Sequence, residues 1–176
     1  GCMDPLANNY DPNAVCDDGT CCYDNTINLE IYTDGWCGNA YYMGWSLLNG
    51  SGISIDSGGY LAGETYSDYT TYNYTICVAD TCDSYELVLY DQSGSGWQYC
   101  SGGAYARITS VSGDTLLTAT SQCCWSQTSY TFSTNVLGCM DPLANNYDPN
   151  AVCDDGTCCY DNTINLEIYT DGWCGN

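Results

Sequence analysis

Histidine is absent, and Arg107 is the single Lys or Arg side chain in 176 residues. Binding nucleic acid requires a cationic footprint to displace counterions, so nucleic acid is excluded as a partner. Anionic membrane surfaces and phosphate-rich ligands are disfavoured for the same reason. Ser-His-Asp and Cys-His chemistry lacks its base, and histidine-based zinc sites cannot form. No apolar run approaches the ~18 residues of a membrane span, so no membrane insertion is expected. Leu87-Val88-Leu89-Tyr90 is typical of the longest such runs. Phenylalanine occurs once, against 18 tyrosines and 5 tryptophans.

What the chain does contain is acid and cysteine. It carries 22 acidic residues, a formal charge of -21, and 15 cysteines. That cysteine load in an acidic chain reads as a disulfide framework formed in an oxidising compartment, which places the protein outside the cell. The odd cysteine count is explained by a repeat. Gly138 to Asn176 reproduces Gly1 to Asn39 residue for residue, an offset of 137. One period holds ten cysteines: Cys2, Cys16, Cys21, Cys22, Cys37, Cys77, Cys82, Cys100, Cys123 and Cys124. Ten is even, and five bridges per period become available. The chain starts without Met and stops in mid-pattern, so it is expected to be a stretch of a longer array.

Within a period, composition changes near residue 23. Residues 1–23 are rich in Asp, Asn and Pro and read as a cysteine-rich linker. Asp4-Pro5 and Asp11-Pro12 can each start a single helical turn, with Asp capping and Pro at the first position. Residues 24–137 read as a β module, 138–160 as the second linker and 161–176 as the start of the next module. Ile27, Leu29 and Ile31 alternate with Asn28 and Glu30, as do Tyr72, Tyr74 and Ile76 with Asn73 and Thr75. Tyr85, Leu87 and Leu89 form a third alternating set. Further strands are expected at 42–48, 52–55, 104–111, 115–120 and 128–132. About eight short strands separated by Gly, Ser, Asp and Asn turns argue for a mainly β fold, an antiparallel sandwich of jelly-roll type.

The linker GCMDPLANNYDPNAVCDDGTC resembles a G-C-x-D-P-x-A-x-N-Y-x-P-x-A-x-x-D-D-G-S/T-C repeat of large secreted and surface proteins of bacteria and algae. Gly1, Cys2, Asp4, Pro5, Ala7, Asn9, Tyr10, Pro12, Ala14, Asp17, Asp18, Gly19, Thr20 and Cys21 fall on that pattern without gaps. The resemblance implies a Cys2–Cys21 bridge and leaves Cys16 and Cys22 outside the pattern. The β part resembles, more loosely, a sandwich domain of the same proteins. Thr33-Asp34, Gly58-Gly59-Tyr60, Cys77 with Cys82, and Tyr90 to Trp97 carry that likeness. The second Asp of the family's turn is Ser95 here.

Five candidate chemistries follow. Asp4, Asp11, Asp17 and Asp18 crowd the linker and could offer oxygen ligands to Ca2+. The same residues can cap turns, and the lack of a D-x-D-x-D-G run favours capping. Asn49-Gly50-Ser51 and Asn73-Tyr74-Thr75 fit the N-glycosylation pattern. Asn49-Gly50 also reads as a hairpin turn, and Asn73 should face outward if Tyr72 and Tyr74 face inward. Trp36, Trp45, Trp97 and Trp125 could form a sugar platform, although core packing is the preferred reading. Glu30, Glu64 and Glu86 are the glutamates of a period, and nothing pairs two acids at a hydrolytic spacing, so no enzyme activity is expected. Adjacent Cys21-Cys22 and Cys123-Cys124, in a negative field, read as structural rather than redox-active. Cys77 and Cys82 flank a four-residue loop that a bridge could close; sequence leaves the remaining pairings open.

The expected function is structural: an extracellular filament or matrix of identical modules with disulfide-locked joints, each module's partner being its neighbour. Strand addition at Ile27 to Ile31, whose copy is Ile164 to Ile168, would be one way to link modules. The alternative is a carbohydrate-binding or adhesive module of a cell-surface protein.

Overall fold

The structure is a computed structural model and describes residues 1–17, 19–23, 25–33, 40–79, 82–97, 103–120 and 124–160. The alternating segments form strands. They are β1 (Thr26–Tyr32), β2 (Met43–Leu48), β3 (Ser54–Gly59), β4 (Thr71–Cys77), β5 (Tyr85–Asp91), β6 (Tyr105–Ser110), β7 (Thr115–Thr120) and β8 (Gln127–Phe132). Two-residue strands β9 (Leu137–Gly138) and β10 (Cys153–Asp154) follow. The helical content is two three-residue 3-10 turns, Ala40–Tyr42 and Tyr60–Ala62, among the described residues.

One antiparallel sheet has the order β4-β1-β6-β7 and the other β3-β2-β5-β8. The period-two pattern sorts the side chains. Ile27, Leu29 and Ile31 of β1 are buried while Asn28 is exposed. They share one core with Ile76, Ala106, Ile108 and Ala119 of the same sheet. Met43, Trp45, Leu47, Tyr85, Leu87, Leu89 and Phe132 of the second sheet belong to that core too. The arrangement is therefore sandwich-like, two faces closing on one apolar layer. The expected jelly-roll type is met at the level of two four-stranded antiparallel sheets; β1 lies between β4 and β6, and β8 lies at an edge.

Two expectations need correction. Strand addition at Ile27 to Ile31 is not open, because β1 is hydrogen-bonded on both sides, to β4 and to β6. The copy at Ile164 to Ile168 lies outside the described residues. The strand expected at 52–55 runs later, at Ser54–Gly59. The Asn49 N–H donates to the Ile53 carbonyl at 2.9 Å, and Gly52 takes φ 73°, so the turn consumes the first of those residues. The strand ends in glycine for steric reasons. A Cβ on Gly58 would sit 2.3 Å from Trp45 Nε1, and one on Gly59 would sit 2.2 Å from the Met43 carbonyl oxygen.

The chain divides into two compact units, Gly1–Thr134 and Asn135–Asn176. The first linker, residues 1–23, falls in the same compact unit as the β body that follows it. No helix among the described residues is long and apolar enough to cross a membrane.

Candidate functional site

The linker is built from its aspartates. Asp4 Oδ1 accepts the Leu6 N–H at 2.9 Å, and Asp4 Oδ2 accepts the Tyr23 hydroxyl at 2.7 Å. The Leu6 N–H and then the Tyr23 hydroxyl hold Asp4 below the usual carboxylate range. The same bond to Asp4 is the main cause that raises the Tyr23 hydroxyl. Asp11 Oδ1 accepts the Asn13 N–H at 2.8 Å, and Asp17 Oδ1 accepts the Gly19 N–H at 2.9 Å. Asn9 clamps the far strand of the loop: its amide donates to the Thr20 carbonyl at 2.7 Å and its Oδ1 accepts the Cys22 N–H at 2.8 Å. These are Asx turns and backbone clamps, the capping role weighed above. Asp18 lies outside the described residues, and no group of three metal-ligating side chains occurs among the rest.

Disulfides close the linker and tie it down. Cys2 bonds Cys21 with Cα atoms 4.8 Å apart, the bridge implied by the resemblance. Cys77 bonds Cys22, at 5.7 Å, rather than Cys82. The reason is register: Thr26 opposite Cys77 brings the end of β4 to the segment leading into β1. Cys82 is disulfide-bonded to another cysteine. Cys124 is exposed, takes φ 73°, and donates its N–H to the Ser95 carbonyl at 2.8 Å. Cys37, Cys100 and Cys123 lie outside the described residues.

The second linker repeats this construction. Asp141 accepts Leu143 N–H at 2.9 Å and Tyr160 hydroxyl at 2.7 Å. Asn146 bonds the Thr157 carbonyl at 2.8 Å and the Cys159 N–H at 2.7 Å. Cys139 bonds Cys158 at the same 4.8 Å. One difference between the copies lies at Cys16 and its counterpart. Cys153 is buried and disulfide-bonded, whereas Cys16 is exposed and carries a free thiol.

Among the described residues the tryptophans do not form a platform. Trp45 and Trp97 are wholly buried. The Trp45 indole donates to Tyr66 Oη at 3.0 Å and the Trp97 indole to the Tyr90 carbonyl at 2.9 Å. Trp125 packs near Trp97, with ring centroids 6.3 Å apart, and Trp36 lies outside the described residues. A one-way chain of donors starts at Trp45. Indole can only donate and carboxylate only accept, so Trp45 donates to Tyr66, Tyr66 to Tyr74, and Tyr74 to Glu64 Oε2. Burial pushes the Tyr74 hydroxyl far up, which keeps it protonated and donating. Gly59 N–H also donates to Glu64 Oε2, at 2.9 Å.

Glu64 thereby lines a shallow depression of about 160 Å³ with Tyr41, Tyr60, Gly63, Thr65 and Gln92. Sequence reading singled out none of these as a group, because they come from three separate segments. Of the other glutamates, Glu30 accepts from Arg107 at 2.8 Å and from Tyr105 at 2.7 Å. Glu86 is half-buried on β5.

The two glycosylation candidates differ in setting. Asn49 Oδ1 accepts the N–H groups of Ser51 and Ile53, both at 3.0 Å, so it holds the β2–β3 turn. Asn73 is exposed on the edge strand β4, opposite Glu30 of β1, between the half-buried Tyr72 and Tyr74. No protein-family model matches this chain, and neither the curated proteins nor the solved structures give a match.

Proposed function

We propose that this chain is a structural subunit of an extracellular filament or matrix, a stretch of tandem β-sandwich modules with disulfide-locked joints. The observation that carries the proposal is the linker. One sequence occurs twice, on either side of an eight-strand body, and folds each time into the same bridged knot. The first knot is also bonded to its body through Cys22–Cys77. A joint fixed in this way transmits orientation from one module to the next, which a filament needs. A repeated unit with one such contact extends head to tail without closing, and its partner is another copy of itself. Extracellular location fits the bridges, which persist under oxidising conditions. Scarcity of Lys and Arg leaves trypsin one site per period and suits a durable fibre. Arrays of several periods, imaged by electron microscopy, should show straight rods with one constant spacing. Beads that bend freely about each joint would sink the proposal.

The glycan-binding reading keeps one supporting observation, the depression beside Tyr41, Tyr60, Glu64 and Gln92. Exposed tyrosine faces beside a carboxylate and an amide suit a sugar ring. Retention on a glycan array, lost in Tyr41→Ala, would favour it.

A further inference from the structure

Glu64 is held twice to the end of β3. Its N–H donates to the Gly59 carbonyl and its Oε2 accepts the Gly59 N–H, both at 2.9 Å. Oε2 also accepts the Tyr74 hydroxyl at 2.9 Å, where the donor chain from buried Trp45 ends. Oε1 has no hydrogen-bond partner among the described residues, and Glu64 is exposed. A fixed carboxylate thus keeps one oxygen open to a ligand.

The other walls of the depression are also seated. Tyr60 lies against the backbone of Gly44, where a Cβ would come 2.9 Å from its ring. Tyr41 is 58% exposed and packs edge to face with Tyr42, whose carbonyl accepts the Gln92 N–H at 3.1 Å. Two tyrosines, an amide and a free carboxylate oxygen therefore border about 160 Å³, the scale of one sugar unit.

Charge selects among sugars. No Lys, Arg or His lines the depression, and the chain carries one cation against 22 acids. Burial raises the Tyr60 hydroxyl, with Tyr90 and Asp91 adding to the rise. Burial also raises Asp56 against the lowering Ser57 N–H, and Glu64 adds to that rise. Two further carboxylates thus lie within electrostatic reach of this site. Uronic, sulfated and sialylated sugars are repelled there, whereas a sugar bearing an ammonium is attracted. The ammonium also gains a charge-assisted hydrogen bond at Oε1. No three metal-ligating side chains converge among the described residues, and tyrosine walls suit an organic cation better than a hydrated metal ion.

We infer that this depression binds an amino sugar with a free, protonated amine, its ring against Tyr41 and Tyr60 and its ammonium on Glu64 Oε1. The inference rests on the glycan-binding reading above and names the ligand class of that site.

The test is an NMR titration of the isotope-labelled full chain, at mildly acidic pH and physiological ionic strength. Three probes are compared: the glucosamine disaccharide, its doubly N-acetylated form and cellobiose. Shifts should centre on Gly63, Thr65 and Gln92, and the free amine should bind roughly tenfold tighter than the other two. Glu64→Gln keeps an acceptor for Tyr74 and Gly59, and should bring the three affinities within about twofold of one another. Asp114→Asn removes the same charge from the exposed β6–β7 turn and should leave the preference intact. Tyr41→Ala should weaken all three probes. Circular dichroism of each variant separates lost binding from lost folding. Equal affinities in the parent, a preference that survives Glu64→Gln, or one that Asp114→Asn abolishes equally would overturn the amine assignment and leave the glycan-binding reading standing. Shifts with none of the three probes reject both.

Discussion

Thr33 shows how single polar groups hold the module. It is wholly buried, and its hydroxyl accepts the Thr70 N–H at 2.9 Å while facing the Ser67 carbonyl at 2.7 Å. Thr33→Val keeps the shape and strands both partners. It should lower the free energy of unfolding by about 1–3 kcal/mol in guanidinium titrations with the disulfides intact. Thr33→Ser should stay close to the parent. Asp4 gives a pH prediction. Its folded pKa lies below the ordinary carboxylate value, so the native linker binds fewer protons than the unfolded one. The stabilisation is present above the ordinary carboxylate pKa and is lost as pH falls through the depressed one. NMR titration should place the Asp4 midpoint below that of a model peptide. Tyr23→Phe should move it only part of the way back, because the Leu6 N–H remains. The Asp4-Pro5 turn was legible in the sequence; Tyr23 as its second partner was not, since it lies 19 residues away and is brought near by the bridge.

At the scale of elements, local periodicity spoke and long-range pairing did not. β1 and β4 were legible because apolar residues alternate there, and β5 because Tyr85, Leu87 and Leu89 keep the period even though Val88 between them is buried too. β3 slid toward Gly58-Gly59, where no side chain signals a strand and the constraint comes from Trp45 and Met43 of the neighbouring β2. The Cys77 partner was misjudged for a related reason. Nearness in sequence favoured Cys82, while sheet register delivers Cys22 from 55 residues away. The depression beside Glu64 was invisible because it is assembled from separate segments. Loop length ranks the bridges. Replacing both Cys22 and Cys77 by Ser should cost about 4 kcal/mol of stability, against about 3 kcal/mol for the Cys2 and Cys21 pair. Denaturant melts of the two double variants, compared with the parent, check the order; an equal or reversed ranking would show that loop length does not set what the two bridges contribute.

At the scale of the whole molecule, charge and covalency act on different distances. A formal charge of -21 with one cation repels neighbouring chains over a screening length of about 8–10 Å at ordinary salt. Arrays should therefore stay dispersed at low salt and draw together laterally as salt rises, which light scattering against ionic strength would report. In the proposed filament, stiffness comes from bonds that salt does not touch. The central claim is that these modules form a filament whose joints are locked by disulfides. It is tested most directly by cryo-electron microscopy of multi-period arrays before and after full reduction. The account predicts straight oxidised filaments with one axial repeat near a module diameter, roughly 35–40 Å for a body of this size, and bending at the joints once the bridges are reduced. Oxidised arrays with no constant repeat, or rods that keep their straightness unchanged after complete reduction, would contradict it.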